Sequence, residues 1–451
     1  MVTINIKQLN DHVQAFQDSE MYDYMTYGHD YYRNRNTAIM DRTKEYYVEG
    51  LGVKANPFAA NHKLPSGYFK KVVDQKVQYL LGNGIVFDSN DPEQLDVYFK
   101  HGISEFITDA GTLTSKKAVA YAYAYKDNGQ LKFTLLPSEQ VTPIYDDRDE
   151  LDSIIRRFDE GDTKVMLHIT DTEIIRYEKR EKNKEFEAAA IYGHYNKIQE
   201  FNGQQVGEPE PHSFSRLPVI PLYNNKERIS DLYPIKQHID VYDLINSDFA
   251  NNIDDMQDAF FELKGFDGDS TKLAEFVQQL KQIKSVPTPA EGGITPHQLQ
   301  VPVKARSTFL ELLEHNIYKD SMSVDVSKIS GSSITNVVIK AMFTDLDLKA
   351  DQFESEMRKF MYQLIDFINA NDSKTFDKEF KFERSTIMNR AEMTKSITKL
   401  NGILSQETIR ELLPYDIDLD EEKKRLEDEQ GAYLSEPIVE PEEDDIDEPN
   451  S

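Results

Sequence analysis

The chain has 451 residues, with 52 Lys and Arg against 80 Asp and Glu, a formal net charge of -28, and no cysteine. That length predicts several structural parts rather than one small module, the charge argues against gripping nucleic acid by phosphate neutralisation over the whole surface, and the missing thiols exclude disulfides, thiolate metal sites and cysteine nucleophiles. Hydrophobic residues make up 39% of the chain, as in globular proteins; with no apolar run of about 18 residues and no leader-like start, a soluble, unsecreted protein is expected.

Residues 11 to 82 read mainly helical. Over Ser66 to Leu81, Phe69, Val72, Val73, Val77 and Leu80 share one face, Ser66 stands where an N-cap is expected, and Gly82 is a plausible stop. Val119, Tyr121, Tyr123 and Tyr125 alternate with small residues, and Leu131, Phe133 and Leu135 alternate again after Asn128-Gly129, the pair that a type I′ hairpin turn requires. Strands at 153–158, 164–169 and 173–177 complete an α+β block. From Pro234 to Glu262 no glycine and no further proline occur, and Ile235, Ile239, Tyr242, Ile245, Phe249, Ile253, Met256 and Phe260 recur every three or four residues, predicting a helix of about 43 Å. Its opposite face carries Asp240, Asp243, Asp248, Asp254, Asp255, Asp258 and Glu262 against one base, Lys236.

Residues 264–305, punctuated by Gly and Pro and carrying a short amphipathic stretch from Ser270 to Ile283, read as a small α/β tip. A return helix from about Ser307 to Met322 then completes an antiparallel stalk. Residues 324–336 are small and polar and predict a loop; beyond it, Val337 to Asn369 predicts a long uninterrupted helix with Leu346, Phe353, Met357, Phe360 and Leu364 inward. Further helices are expected over 389–403, over 406–413 with Ser405 as cap, and after Asp418. Pro414 to Ser451 holds 16 acids and three bases, and the stretch from Glu436 on should be disordered.

Catalytic patterns are absent. No glycine is followed by lysine, so there is no P-loop; Gly82-Asn83-Gly84 follows a helix and lacks the third glycine of a dinucleotide site; and no two histidines stand at zinc-helix spacing. Asp254-Asp255, Asp345 with Asp347, and Asp416, Asp418 and Asp420 are the pairs that could bind Mg²⁺, but on acid-rich helices they read first as a solvated face. A non-enzyme without cofactor or metal is expected, with a metal-dependent nuclease using Asp254 and Asp255 as the alternative.

The order of parts resembles the portal proteins, or head-to-tail connectors, of tailed bacteriophages, in the branch of long-tailed phages of Gram-positive hosts. The likeness covers about residues 20 to 430, and another head-to-tail ring adaptor is the second alternative beside the nuclease. It is carried by residues 70–82 (KKVVDQKVQYLLG), the hairpin strand 118–129, residues 217–226 (LPVIPLYNNK), residues 239–248 (IDVYDLINSD) and residues 402–408 (GILSQET). The polar loop departs from the family's Ser-Ser-Gly pattern, reading Gly331-Ser-Ser-Ile-Thr-Asn336, and Gly82-Asn83 stands where a proline often follows the glycine.

The resemblance implies a predominantly helical α+β portal-type subunit: an α+β wing (1–230), an antiparallel helical stem (231–263 and 306–323), a small α/β clip (264–305), a tunnel loop (324–337), a long kinked helix with its return segment (338–388), a helical crown (389–432) and an acidic disordered tail (433–451). It further implies a homo-oligomer, a dodecameric ring at one capsid vertex of the virion, assembled in the host cytoplasm and not in a membrane. Double-stranded DNA would pass non-specifically through the channel in packaging and ejection. The partners would be the terminase large subunit, the major capsid and scaffolding proteins, and a head-completion or tail adaptor. Lys328, Ser330, Ser332, Ser333, Thr335, Asn336 and Lys340 would then face DNA. The Asp240, Asp243, Asp248, Asp254, Asp255 and Asp258 face would line the bore or the seams, or else meet water outside the stem, and Lys272, Lys281 and Lys284 would meet partners at the clip.

Overall fold

The computed structural model describes residues 5–48, 52–55, 60–87, 92–180, 185–197, 200–201, 204–205, 210–255, 260–264, 293–297, 302–328, 335–372, 374–385, 390–415, 418 and 421–426. The chain divides into two units. The larger comprises Met1–Asp325 with Phe343–Ser385, the smaller Val326–Met342 with Thr386–Ser451.

Helices α1 (Ile6–Gln17), α2 (Glu20–Tyr32), α3 (Thr37–Met40), α4 (Tyr68–Leu81), α5 (Pro92–Asp96) and α6 (Ile103–Lys117) precede the sheets. The reciprocal bonds of Asn5 and Gln8 start α1, and the Ser19 hydroxyl accepts from Tyr22 N to start α2. The inward face of α4 is the one its apolar spacing predicts, but Ser66 is not its cap. The helix begins one residue later, after Gly67, without a side-chain cap, and Ser66 N donates to Asp243 at 2.9 Å.

Asn128 and Gly129 both take positive φ, 49° and 80°, giving the hairpin of Val119–Asp127 with Gln130–Leu136. Val219–Tyr223 adds to the other side of Val119–Tyr123, and its Pro221 is tolerated because this is an edge strand. A second sheet is an antiparallel meander of Val141–Tyr145, Leu151–Glu160, Thr163–Ile169, Ile174–Lys179 and Glu187–Tyr192, each strand beside its sequence neighbour.

Two further helices, α7 (Lys236–Asp255) and α8 (Val303–Asp320), pack side by side. They run antiparallel: His238 near the start of α7 meets Asp320 at the end of α8 at 2.9 Å, and Arg306 near the start of α8 lies over the Phe249 ring. The helix expected as far as Glu262 stops at Asp255 among the described residues. Phe260–Lys264 is instead a strand paired with Gly293–His297. Phe260 satisfies the helical spacing, but Phe260-Phe261 also has the aromatic character that a strand favours, and pairing decides between them. The clip lysines Lys272, Lys281 and Lys284 lie outside the described residues.

Helix α9 (Asn336–Asn371) has 36 residues, about 54 Å of unbroken helix. From Phe343 on it shares one apolar core with α4, α6 and the hairpin sheet: Phe353 and Phe360 are fully buried, Phe106 stacks on Phe360, and Phe133 meets Phe367 edge-on. Burying each such ring contributes about 1.5–3 kcal/mol. Gly111 leaves room for Leu81 of α4, since a Cβ there would stand 2.8 Å from the Leu81 Cδ1 atom. In the smaller unit, Ser405 caps α11 (Gln406–Glu411), which follows α10 (Arg390–Thr398), and the Asp418 side chain accepts from Glu421 N ahead of a helical turn at 421–426. The acidic stretch from residue 427 lies outside the described residues.

One charged cluster is built into this core. Lys76 of α4, 1% exposed, donates to Asp231 at 2.8 Å and to Asn224 at 2.6 Å, and its ammonium lies 4.1 Å from the Phe353 ring centre. Asn224 returns a bond to the second Asp231 oxygen at 3.0 Å, and Lys349 of α9 stands 3.5 Å from that oxygen. Burial opposes ionisation of Asp231, but Lys349 and Lys76 outweigh it and hold the carboxyl at about 2. Burial also depresses Lys76, to about 8; Asp231 counters this and Lys349 reinforces it. Two cations share one acid, so the acid gains from the arrangement and the more buried cation does not.

Asp231→Ala, which strands both ammonium groups, is expected to cost about 3–5 kcal/mol, and Lys76→Met, which leaves Asp231 with Lys349, is expected to cost less. Urea unfolding followed by far-UV circular dichroism ranks the two; the opposite order contradicts the assignment. The stability that Asp231 supplies should be complete above its ordinary pKa of 3.8 and be lost as the pH falls through about 2.

Candidate functional site

Along α7 the positions 240, 243, 247, 251 and 254 recur at three or four residues and therefore form one stripe. This stripe receives the chain between residues 31 and 66. The Tyr31 hydroxyl donates to Asp240, whose other oxygen takes Lys236 at 2.8 Å. Asp243 is fully buried and accepts from the Asn36 side chain and from Ser66 N. The Ser247 hydroxyl accepts from Leu64 N at 3.0 Å, and Asn251 Oδ1 from His62 N at 2.6 Å. The His62 ring meets Asp254 at 2.9 Å. Just beside the stripe, Asp248 takes Arg42 through both oxygens, at 2.9 and 3.2 Å, and Lys44 at 3.2 Å.

The electrostatics differ along the row. Burial pushes the Asp243 carboxyl up, and its hydrogen bonds from Asn36 and Ser66 recover only part of that cost. Asp248 is partly buried too, but Lys44 and Arg42 outweigh the burial and hold it below the ordinary range. Burial and the bond to Asp240 push the Tyr31 phenol far up.

The acidic row is thus a fastening for the 31–66 segment. Its buried member, Asp243, is covered within one copy of the chain and so faces neither a bore, a seam nor outside water, the placements expected from the sequence. Asp255 ends α7 and Asp258 lies outside the described residues. Arg42, Lys44 and His62 carry no motif. A compositional signal does exist: residues 33–63 hold six Lys and Arg against three acids, in a chain of net charge -28.

Of the expected loop residues, Lys328 ends a short 3₁₀ turn at Val326–Lys328, and Ser330, Ser332 and Ser333 lie outside the described residues. Thr335 is exposed and starts α9, its carbonyl accepting from Ile339 N at 3.0 Å. Asn336 N donates to Glu392, and Lys340 is exposed one turn on. Among the described residues no group of three His, Cys, Asp or Glu could hold a metal ion, and no helix is long and apolar enough to cross a membrane.

Residues 12–435 match the family described as phage portal protein, SPP1 Gp6-like. The chain belongs to this portal family. A portal protein of Bacillus phage SPP1 is 27% identical over 89% of this chain and 83% of its own length, and that of Clostridium phage phiCD119 is 25% identical over 90% and 92%. A chain in the neck of an empty gene transfer agent particle, computed with C6 symmetry, covers 78% of this chain at 10% identity with a TM-score of 0.46. The expected branch, phages of Gram-positive hosts, is therefore confirmed, and the chain is a bacteriophage portal protein, a head-to-tail connector of the virion.

Four of the five stretches that carry this resemblance meet in the structure. Lys76 bonds Asn224, Asn224 N donates to Ala118 O at 2.9 Å, and Ile239 shares one apolar core with Val73, Ala120 and Leu222. The portal signature in the larger unit is therefore a packing signature. Its test lies on the α7 stripe. Asp243→Ala leaves two donors without an acceptor and is expected to cost about 1–3 kcal/mol and to speed amide exchange across 36–66, whereas Asp254→Asn, at an exposed pair, should stay within about 0.5 kcal/mol. Equal losses in urea titrations would contradict the assignment.

Proposed function

We propose that the chain assembles as a dodecameric ring at one capsid vertex and serves as the conduit for double-stranded DNA in packaging and ejection. The portal-family match over residues 12–435 carries this reading. In it, residues 1–230 and the part of α9 after the loop form the wing, α7 and α8 the stem, the paired strands Phe260–Lys264 and Gly293–His297 the base of the clip, residues 324–337 the tunnel loop and residues 389–432 the crown. The clip, with Lys272, Lys281 and Lys284, docks the terminase large subunit and later a head-completion or tail adaptor. Capsid and scaffolding proteins surround the wing. Assembly takes place in the host cytoplasm.

A duplex conduit has to surround DNA without retaining it. Each phosphate neutralised by a wall cation would release counterions and hold the duplex in place, and a chain of net charge -28 offers no general grip of that kind. The acids of α7 assist by bracing the rod rather than by repelling the duplex, since Asp240, Asp243, Asp248 and Asp254 already have partners. Polar groups of the tunnel loop, with Lys328 and Lys340, meet phosphates weakly at the narrowest point.

Negative-stain images of the protein taken from particles are expected to show rings with a central hole and a narrow stalk; solid globules would contradict the reading. Lys328→Glu should change the amount of DNA packaged or retained while rings persist, and unchanged packaging and retention would remove the loop from the DNA path.

A further inference from the structure

The α7–α8 pair joins the body of the larger unit at two chain ends, and a single side chain touches both. Lys349 of α9 donates from Nζ to the carbonyl of Ser321, the C-cap of α8, at 2.9 Å, and the same Nζ stands 3.5 Å from Asp231. Asp231 lies one turn ahead of α7, whose first backbone bonds are Lys236 N to Leu232 O and Ile239 N to Ile235 O. From the opposite side α4 holds the same two ends. Lys76 takes the other oxygen of Asp231, and the Gln75 amide brackets Val324 just beyond α8, accepting from Val324 N at 2.9 Å and donating to Val324 O at 3.0 Å. His238 and Asp320 close the pair at the same level.

A lysine near a helix C-terminus often serves only to satisfy the last carbonyls. Lys349 differs because its second partner stands one turn ahead of the other rod and is itself buried and charged. We propose that Lys349 is a positioning residue that couples α9 to both rods at their common root, so that a shift of α9 moves α7 and α8 as one body. The contacts lie within one copy of the chain, so the inference goes beyond the ring reading and stands or fails apart from it.

The test is Lys349→Met in the full-length protein, which keeps the apolar stem of the side chain and leaves Asp231 with Lys76 and Asn224. Amide exchange read by mass spectrometry is expected to speed up about tenfold at both 231–239 and 317–325, the equivalent of losing about 1.4 kcal/mol, just under the range of a hydrogen bond to a charged group, while the hairpin at 119–136 is unchanged. Faster exchange at 317–325 alone would reduce Lys349 to a helix cap and overturn the proposal, as would no change at either end. Should the hairpin also loosen, the milder Lys349→Gln decides on the same criteria.

Discussion

A buried carboxylate is tolerable only where its charge is met, and Asp231 sets that requirement for the larger unit. Its partners come from α4, from the strand exit at Asn224 and from α9, so three distant parts of the chain must arrive together. The apolar core of Phe69, Phe353 and Phe360 supplies most of the stabilising energy, but apolar contacts alone tolerate repacking. The charged cluster does not. A slip of α9 by one turn would bring Phe353 or Leu346 to the place of Lys349 and leave the acid one cation short.

The α7 stripe applies the same logic nearer the surface. Asp243 is buried with two donors, Asp248 is half-exposed with two cations, and Asp254 is exposed with one histidine. The fastening is therefore strongest close to the root of the helix and weakest toward its far end, where pairs in water contribute little. A rod built this way is firm close to its root and more yielding away from it.

What was legible in the sequence had local causes. Asn128-Gly129 declared its turn because both residues accept positive φ, Ser405 declared its helix start, and the inward face of α9 declared itself by period. What was not legible depended on partners distant in the chain, 207 residues for Asn36 and Asp243 and 37 for Phe260 and His297. The aspartates of α7 looked like a lining of the bore or seams, or else a solvated face, because periodicity shows which side is polar but not what covers it. Ser66 looked like a cap, but the helix starts one residue later and Ser66 N is held by Asp243, and Phe260 continued a helical spacing until a strand at 293–297 offered pairing. Family resemblance located residues 70–82, 118–129, 217–226 and 239–248 without giving their common reason, which is that they pack around the Asp231 cluster and the root of α7.

A cryo-electron microscopy reconstruction of the particle vertex at side-chain resolution tests the account most directly. It should show copies of this chain around an open bore, each with Asp231 held between Lys76 and Lys349. A vertex without this chain, or copies in which those lysines have left Asp231, would contradict it.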